Sequence, residues 1–331
     1  MISKILITGG AGFIGSHMAA LLMEKNIHFT VIDNLKRSTL KNIKILEQHF
    51  KIKIDFNKID ILDSEHLDNF FSRNNFNTVI HFAGLKSVKE SILNPELYFH
   101  NNVDGTRNII SCIKKYSIEK FIFSSSATVY GNPNYLPIDE GHEIRPLNPY
   151  AISKNEVENL LINDLNLSKN LSIKILRYFN PIGSYKGIIG ENITKYSSNI
   201  MPSLINAIKN NKDFIVYGND FETNDGTGVR DYIHVMDLID AHFRLINDTD
   251  KNLEIFNIGT GQGTSVLELL NVFEKISNKK IKFKILDRRD GDLSASYASV
   301  DKIKKIKNWN AKFSIEDMCF DAWDFAMSNS V

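Results

Sequence analysis

The stretch that decides the fold is ILITGGAGFIG, residues 5–15. Four apolar or β-branched residues precede a glycine-rich turn, and the apolar periodicity of a helix follows as far as Glu24. Gly9, Gly12 and Gly15 give a Gly-x-x-Gly-x-x-Gly spacing, which lets backbone N–H groups approach a diphosphate at the helix N-terminus. This pattern is typical of a dinucleotide-binding unit, although a tight strand-to-helix turn alone would use the same glycines.

The composition narrows the classes of function. The chain has 331 residues, enough for about two domains, and 40 Lys and Arg against 39 Asp and Glu leave a net charge of +1. This balance argues against nucleic acid as a partner. No apolar run approaches the roughly 18 residues of a membrane span, so no membrane partner is expected. Cys112 and Cys319 cannot build a disulfide framework or a four-ligand zinc site, which favours the reducing cytoplasm.

The nine histidines form no metal-binding motif, and we expect no metal. His81 lies within a predicted strand and is expected to pack in the core.

Short β-rich runs alternate with amphipathic stretches through the first half of the chain, which is typical of a parallel sheet with crossover helices. We predict an α/β fold, namely a Rossmann-type doubly wound parallel sheet with a smaller C-terminal substrate-binding lobe. The predicted domains are residues 1–180, with sheet elements returning from about 230–260, and residues 181–331. The predicted strands are Lys4–Thr8, Phe29–Ile32, Lys53–Asn57, Thr78–Phe82, Phe121–Ser124 and Ile173–Arg177, with a further strand near Ile255–Asn257. The predicted helices are Ile14–Glu24, Ser64–Ser72, Pro95–Lys115, Tyr150–Leu167, Met201–Lys209, Val235–Ile246 and Ser265–Lys275.

Polar residues at the ends of the predicted strands indicate which dinucleotide binds. Asp33 ends the second strand, where a carboxylate accepts hydrogen bonds from a ribose and repels a 2′-phosphate, so NAD is favoured over NADP. The basic pair Lys36–Arg37 weakens that preference. Asp60–Ile61 and Phe82–Lys86 follow the third and fourth strands, at the edge where an open parallel sheet binds its ligand. Each could be an ordinary strand-end turn, but their agreement favours a cofactor site.

Tyr150 and Lys154 lie four residues apart on a predicted helix and therefore share one face. A phenol with an ordinary pKa near 10 must fall by about 3 pH units to act as a base at neutral pH, and one ammonium at about 4 Å supplies about that much. The serine run 124–126 ends the fifth strand at the same sheet edge, where Ser126 could contact a substrate hydroxyl. The same spacing also occurs in ordinary amphipathic helices, and serines are common in strand-end turns.

Eight stretches, spread in order from the first strand to about residue 293, make the pattern more specific. They are TGGAGFIGSH, DNL, VIHFAGLKSV, FIFSSSATVYG, NPYAISK, LRYFNPIG, GTGVRDYIHVMD and RRDGDL. This ordered set resembles the UDP-glucose (UDP-galactose) 4-epimerases of the extended short-chain dehydrogenase/reductase family. The resemblance implies inversion at C4 of a UDP-hexose through a transient 4-keto sugar, with NAD as a bound prosthetic group. It also implies a homodimer that pairs the helices Pro95–Lys115 and Tyr150–Leu167.

The resemblance assigns roles residue by residue. It implies Tyr150 as the base, Lys154 as its partner and ribose ligand, and Ser126 as the contact of the substrate hydroxyl. The cofactor contacts are Gly9, Gly12, Phe13, Ile14, Gly15, Asp33, Asn34, Leu35, Lys36, Arg37, Ser38, Asp60, Ile61, Phe82, Ala83, Gly84, Leu85, Lys86, Asn101, Ser124, Tyr150, Lys154 and Phe179. The substrate contacts are Lys86, Ser126, Tyr150, Asn180, Asn199, Ile200, Ile215, Val216, Tyr217, Arg230, Arg289 and Asp292. The two arginines also suit a diphosphate on physical grounds, although Asp231 and Asp292 could instead be their ion-pair partners.

Three alternative functions remain. A nucleotide-sugar dehydratase needs an additional acid and base, and Ser126-Ala127-Thr128 stands where related dehydratases carry Thr-Asp-Glu. Ser296 aligns, without gaps, with a bulky tyrosine of strict glucose/galactose epimerases, so UDP-GlcNAc and UDP-GalNAc are expected as further substrates unless Tyr297 fills the space. A non-catalytic NAD-binding regulator is disfavoured because Tyr150, Lys154 and Ser126 are all present.

Overall fold

The structure is a computed structural model that describes residues 4–165, 170–193, 199–248, 250, 252–289 and 291–328. The chain divides into two compact units. The first unit comprises Met1–Gly131, Ile144–Arg177 and His242–Phe256, and the second comprises Asn132–Glu143, Tyr178–Ala241 and Asn257–Val331. The chain therefore crosses from one unit to the other more than once.

The strands are short and, in the first unit, mostly buried. They are β1 Ile5–Thr8, β2 Phe29–Asp33, β3 Asp55–Lys58, β4 Thr78–His81, β5 Lys120–Ser126, β6 Ser172–Tyr178, β7 Asn180–Ile182, β8 Ser184–Tyr185, β9 Ile189–Gly190, β10 Phe214–Tyr217, β11 Val229–Arg230, β12 Tyr232–His234, β13 Leu253–Ile258, β14 Thr264–Ser265, β15 Phe283–Leu286 and β16 Ala295–Ser296. Seven of them form the main sheet in the order β13-β6-β5-β4-β1-β2-β3. The pairs β1–β2, β1–β4, β2–β3 and β4–β5 are parallel.

This sheet confirms the predicted Rossmann-type fold. The strand order runs outward from β1 in both directions, so the carboxyl ends of β1 and β4 form the switch point at which such sheets bind ligands. The predicted returning strand near Ile255–Asn257 is confirmed as β13, at one edge of the sheet.

The helices follow the predicted spans in most places. They are α1 Phe13–Glu24, α2 Lys41–Phe50, α3 Ser64–Ser72, α4 Val88–Leu93, α5 Pro95–Tyr98, α6 Gly105–Lys115, α7 Pro149–Leu160, α8 Ile200–Lys209, α9 Val235–Ile246, α10 Val266–Ser277, α11 Asp301–Lys307 and α12 Ile315–Ser328. A 3₁₀ turn, Ala127–Tyr130, follows β5, and a π-helical turn, Leu161–Leu165, ends α7. The end of the predicted helix Tyr150–Leu167 lies outside the described residues. No described helix has the length and the apolar character needed to traverse a bilayer.

The predicted helix Pro95–Lys115 is interrupted by a π-helical segment, Phe99–Asp104, between α5 and α6. The buried Asn102 lies within this segment. Its Oδ1 accepts from the Leu85 amide at 2.8 Å, and its Nδ2 donates to the Leu85 carbonyl at 3.0 Å and to Ser153 Oγ at 3.1 Å. The π-helical segment thus contains the side chain that bonds to the loop after β4.

Each unit contains a buried apolar cluster. In the first unit Leu6, Val79, Phe121 and Ile173 from neighbouring strands pack with helix residues such as Ile109. Burying a side chain of this size contributes about 2 kcal/mol relative to exposure. In the second unit α10 packs on α12, where the rings of Phe273 and Trp323 meet edge to face at 5.7 Å.

Candidate active site

The turn after β1 forms a cradle that only glycine permits. Gly9 adopts a φ of +67°, and a Cβ built on it would lie 2.6 Å from the Ala83 nitrogen. A Cβ on Gly15 would lie 2.4 Å from the Gly9 carbonyl oxygen. Gly12 precedes α1 without a side-chain cap, and the first turn of the helix holds no acidic residue. Backbone N–H groups at a helix start of this kind suit a diphosphate, so the cradle fits a dinucleotide.

Phe13 and Ile14 begin α1 directly behind the glycines. The Phe13 ring meets the buried His17 ring edge to face at 4.9 Å. These two predicted contacts therefore lie where the diphosphate end of a dinucleotide would reach the helix.

Asp33, at the end of β2, organises the backbone around itself. Its Oδ2 accepts from the Ala11 amide at 3.1 Å. Its Oδ1 accepts from the Leu35 amide at 2.9 Å and from Ser38 Oγ at 2.8 Å. The carboxylate thus links the glycine turn to residues 35–38, which together form the predicted ribose pocket.

The cations near Asp33 are engaged by other carboxylates. Lys36 Nζ lies 2.9 Å from Asp60 Oδ2, and Arg37 Nη2 lies 2.6 Å from Glu90 Oε1. Asn34 accepts from the Lys36 amide at 2.9 Å. A 2′-phosphate would have to compete with these ion pairs and with Asp33, which supports the preference for NAD.

The loop after β4 is held by Asn102, which is not among the predicted contacts. The predicted contact is its neighbour Asn101, whose Nδ2 donates to Asn102 Oδ1 at 3.0 Å. A Cβ on Gly84 would lie 3.4 Å from both Asn102 Oδ1 and Lys154 Nζ. The loop 82–86 therefore passes close to the Lys154 ammonium. The burial of Asn102 and its bond to Leu85 are visible only in the fold, so no local signal in the sequence distinguished it from Asn101.

Two further predicted cofactor contacts, Ile61 and Phe82, lie in the first unit. Ile61 is buried and its side chain fills the space beside Gly105, whose added Cβ would lie 2.6 Å from Ile61 Cδ1. Phe82 places its ring 5.1 Å from the ring of His242.

Tyr150, Lys154 and the serines at the end of β5 lie together. Asn148 caps α7 by accepting from the Ala151 amide at 2.9 Å, which fixes where the helix begins. Tyr150 and Lys154 are 9% and 6% exposed. Lys154 Nζ donates to the Ser124 carbonyl oxygen at 2.8 Å and lies 4.9 Å from the centre of the Phe123 ring.

Ser126 lies beside this pair. Its Oγ accepts from Thr128 Oγ1 at 2.9 Å and from the Thr128 amide at 3.3 Å.

Burial governs the titration of these groups. It raises the pKa of the Tyr150 phenol, and a hydrogen bond with Ser126 acts in the opposite direction. Burial lowers the pKa of Lys154 to about 8, while the Glu158 carboxylate acts to raise it. In the chain on its own the pKa of Tyr150 is therefore raised and not lowered as expected, because the sequence did not show how deeply the phenol is buried.

His81 is confirmed as a core histidine. Its ring nitrogens lie 2.7 Å from Thr8 Oγ1 and 3.0 Å from Thr106 Oγ1. Burial and then the charge of Lys154 lower the pKa of His81 to about 3, so the ring is neutral at physiological pH.

In the second unit, the predicted substrate contacts Arg230 and Arg289 both pair with a third predicted contact, the carboxylate of Asp292. Asp292 Oδ1 lies 2.7 Å from Arg230 Nη2, and its Oδ2 lies 2.8 Å from Arg289 Nη2. Arg289 also lies over the Tyr217 ring at 4.8 Å. The other expected partner, Asp231, is buried and instead accepts from backbone amides and from Thr260.

The remaining predicted contacts of the second unit are placed by backbone pairing. Asn180 donates from its amide nitrogen and from Nδ2 to the Asp231 carbonyl oxygen. The Phe179 amide donates to Ile258. Ser296 pairs with Arg230 across the parallel strands β11 and β16 and is 9% exposed.

Asn199 immediately precedes α8, whose first residue is Ile200, and donates to both carboxylate oxygens of Glu191 at 2.9 and 3.0 Å. Nothing in the sequence pointed to Glu191. On β10, Ile215 is half-buried, Val216 is buried and Tyr217 is exposed.

A parallel sheet with a glycine cradle at its switch point, an acidic residue ending β2 and a tyrosine–lysine pair beside serine define an enzyme of the short-chain dehydrogenase/reductase type. The NAD dependent epimerase/dehydratase family matches residues 5–259, and the chain belongs to this family. The family depends on NAD, which confirms the predicted cofactor.

Known proteins resemble nearly the whole chain. UDP-glucose 4-epimerase 3 of Oryza sativa subsp. japonica is 41% identical over 337 residues, which cover 99% of this chain and 90% of the rice protein. The crystal structure of UDP-glucose 4-epimerase from Stenotrophomonas maltophila with bound NAD and formylated UDP-arabinopyranose has a TM-score of 0.95 and 36% identity, with 99% of each chain covered. The Bifidobacterium longum enzyme in complex with NAD+ and UDP has a TM-score of 0.94 and 38% identity, again with 99% of each chain covered. These comparisons confirm the predicted resemblance to UDP-glucose 4-epimerases.

Proposed function

We propose that this chain is an NAD-dependent UDP-hexose 4-epimerase that interconverts UDP-glucose and UDP-galactose, a reaction of galactose metabolism. The observation that carries the proposal is the buried group formed by Tyr150, Lys154 and Ser126 beside a dinucleotide cradle. The arginine pair that shares Asp292 in the second unit supplies a matching site for a diphosphate. The names of the similar proteins support the same activity.

The residues that hold the cofactor follow from the cradle. The glycine turn would bind the diphosphate, Asp33 the adenosine ribose, and the loop 82–86 with Lys154 the nicotinamide end. When bound, NAD supplies the reversible acceptance of a hydride from C4 of the sugar.

The chain itself moves the proton. Tyr150 removes the proton of the C4 hydroxyl, which Ser126 orients by a hydrogen bond. Because burial raises the pKa of Tyr150, the phenolate needs positive charge beside it, which Lys154 supplies together with the oxidised cofactor. In the return direction Tyr150 would give the proton back to the C4 oxygen, so the proton it accepts is released again within one turnover.

The UDP group must stay bound while the sugar turns. Arg230 and Arg289 would bind its diphosphate through charge-assisted hydrogen bonds, in exchange for part of their pairing with Asp292. Holding only the nucleotide leaves the ketone free to present either face.

A second candidate, activity on N-acetylated UDP-hexoses, is favoured by the small side chain of Ser296 beside Arg230. Tyr297 does not need to fill that space, because its ring lies against Gly263, where an added Cβ would be 3.0 Å from Tyr297 Cδ1. Successive residues of an extended strand point to opposite sides, which agrees with this separation.

The test is to incubate the purified protein, without added NAD, separately with UDP-galactose, UDP-GalNAc and UDP-galacturonate, and to identify the products by proton NMR. Conversion of UDP-galactose to UDP-glucose is expected. A product that lacks the C6 hydroxyl would instead identify a dehydratase. Retention of NAD with every UDP-hexose unchanged would identify a non-catalytic binding protein.

We also propose a homodimer that works in the cytoplasm. Ile92, Leu93 and Leu97, on α4 and α5, are 59%, 71% and 42% exposed, and their apolar surface suits a second copy of the chain. Both cysteines are buried free thiols, which suits a reducing compartment. Light scattering during size-exclusion chromatography should give twice the mass of the chain, and a monomer at micromolar concentration would contradict the dimer.

A further inference from the structure

One face of α7 contacts the end of β5 three times. Tyr150, Lys154 and Glu158 follow one another at intervals of four residues and therefore lie in one row along the helix. Lys154 donates to the Ser124 carbonyl oxygen at 2.8 Å, and Glu158 Oε1 accepts from Ser125 Oγ at 2.5 Å. Ser126, the next residue of the strand, interacts with Tyr150. The proposed function uses the first two members of the row and leaves Glu158 unexplained.

Glu158 belongs to a buried ion pair. Its side chain is 1% exposed, and that of its partner Arg177, near the end of β6, is 4% exposed. Arg177 Nη2 lies 2.6 Å from Oε2, and Nε lies 3.1 and 3.2 Å from the two oxygens. Arg177 Nη1 also donates to Tyr130 Oη at 2.9 Å, and Tyr130 ends the 3₁₀ turn that begins directly after Ser126. The ion pair is thus connected through side chains to Ser125, directly before Ser126, and to Tyr130, four residues after it.

Stability alone does not account for such a pair. Removing two charges from water costs several kcal/mol for each ion, and a well-packed apolar pair often gives equal or greater stability. The pair does, however, fix the carboxylate in one orientation one helical turn from Lys154. A role in the geometry and charge of the neighbouring residues is therefore the better explanation.

The charged and titratable groups around Lys154 are few among the described residues. Tyr150 and Glu158 lie on the same helix, and burial raises the pKa of Tyr150. His81, on β4, is neutral because its pKa is about 3. The strand β5 contributes the Ser124 carbonyl and the Phe123 ring. Glu158 is the negative charge that acts on Lys154, opposing the effect of burial.

We propose that Glu158 is a positioning residue of the epimerase reaction. Through Ser125 it holds the backbone that presents the Ser124 carbonyl and the Ser126 hydroxyl, and it supplies the negative charge that faces Lys154. The proposal rests on the proposed function for its turnover measurements, whereas its effect on Lys154 is measurable without turnover.

The first experiment follows the Lys154 ammonium by NMR in protein carrying isotope-labelled lysine, assigned with Lys154→Met, through a pH titration. Glu158→Gln keeps the size of the side chain and an acceptor for Ser125 but removes the charge. We expect it to lower the pKa of Lys154 by about one pH unit. Glu156→Gln makes the same change at an exposed position of α7 and should leave the titration unchanged. Equal pKa values of Lys154 in Glu158→Gln and the native protein would overturn the charge role.

Glu158→Gln leaves Arg177 buried without its carboxylate partner, so the double variant Glu158→Gln/Arg177→Met is prepared alongside it. That variant removes both charges, and the pKa of Lys154 should again be lower than in the native protein.

The second experiment tests the position of the strand end by turnover of UDP-galactose. Ser125→Ala removes the hydrogen bond to Glu158 and leaves the ion pair in place. It should lower kcat about tenfold, since small displacements of reacting groups are costly, with KM and the pH profile unchanged. Ser125→Thr, which keeps the hydroxyl, should restore kcat. In Glu158→Gln the alkaline limb of the kcat profile should move to lower pH, because Lys154 loses its proton earlier.

Full kcat in Ser125→Ala would overturn the positioning role. A native protein that turns over no UDP-hexose would overturn the proposed function instead, while the NMR titration of Lys154 would still decide the role of the Glu158 charge.

Discussion

The Lys154 ammonium donates a hydrogen bond to the carbonyl oxygen of Ser124 at a distance of 2.8 Å. The bond holds a buried cation on a neutral acceptor, and burial lowers the pKa of this lysine from 10.5 to about 8. A lowered lysine pKa means that the folded state disfavours the charged form. The lysine that we propose as the partner of the base therefore reduces the stability of the fold.

Lys154→Met should abolish turnover and increase the free energy of unfolding. The shift of the pKa from 10.5 to about 8 corresponds to about 3 kcal/mol, which is the upper limit of the gain. Below about pH 8 the native lysine is charged in both states, so the gain is fully present. Between about pH 8 and 10.5 the unfolded chain binds more protons than the folded one, so native stability rises with pH and the gain disappears. Urea unfolding of the native protein and of Lys154→Met, both without NAD, measures this gain across the pH range. A variant less stable than the native protein at neutral pH would contradict the prediction.

Tyr150→Phe should lower kcat about a thousandfold and leave KM for UDP-galactose nearly unchanged, because the substitution removes the proton acceptor and keeps the ring. The ring would keep its edge-to-face contact with Tyr98, whose centroid lies 6.4 Å away. Stability should therefore change by less than about 1 kcal/mol. Turnover measured beside thermal unfolding separates the two effects. A variant that inverts C4 at the native rate would exclude Tyr150 as the base.

Gly9→Ala should impair folding and NAD binding together, because residue 9 has a φ of +67° and its new Cβ would meet the backbone of Ala83 at 2.6 Å. The expected loss of stability is at least about 1–3 kcal/mol. Gly12→Ala is the matched comparison, since its Cβ would meet only the Gly9 carbonyl oxygen, at 3.2 Å. It should fold normally and lose NAD affinity alone. Calorimetry of unfolding and of NAD binding distinguishes the variants, and equal stability of the two would show that the cradle tolerates a side chain.

Local patterns in the sequence predicted most of the sheet and the cofactor cradle. The glycine spacing at residues 9–15 and the apolar runs of the strands are local patterns, so they can be recognised in the sequence without knowledge of the fold. Helix α2, at Lys41–Phe50, was not predicted, and neither was the π-helical segment at Phe99–Asp104. The latter contains Asn102, whose bond to Leu85 joins residues 17 positions apart and is encoded by no local pattern.

The partners of the predicted substrate contacts were harder to resolve from sequence. Arg230 has an acidic neighbour in Asp231, yet its partner is Asp292, 62 residues away. Asp231 is buried among backbone donors, including the Gly261 amide, which removes it from Arg230. Burial also reversed the expected direction of the Tyr150 pKa. The partner of Arg230 and the pKa of Tyr150 both depend on long-range packing, which the sequence does not show.

Arg289→Met should raise KM for UDP-galactose about tenfold with little change in kcat, because a diphosphate contact binds the ground and transition states equally. Arg288→Met is the control. Arg288 is the adjacent arginine, but its guanidinium lies over the Phe221 ring at 4.1 Å and pairs with Asp220. Steady-state kinetics at two ionic strengths measures KM and kcat of both variants. The KM of the native enzyme should rise with salt more than that of Arg289→Met. Equal effects of the two substitutions would remove Arg289 from the diphosphate site.

Ser296→Tyr should remove turnover of UDP-GalNAc and retain that of UDP-galactose. Ser296 is small, 9% exposed and paired across the strands with Arg230, so a tyrosine there would occupy the space that an N-acetyl group needs. The ratio of kcat/KM for the two substrates should change at least about tenfold, because excluding a group by overlap costs more than 1.4 kcal/mol. Ser294→Tyr introduces the same ring two residues earlier, at an exposed position, and should leave the ratio unchanged. Equal losses with both sugars would mean that the tyrosine disturbs the strand instead of the pocket. An absence of UDP-GalNAc turnover in the native enzyme would exclude the wider specificity altogether.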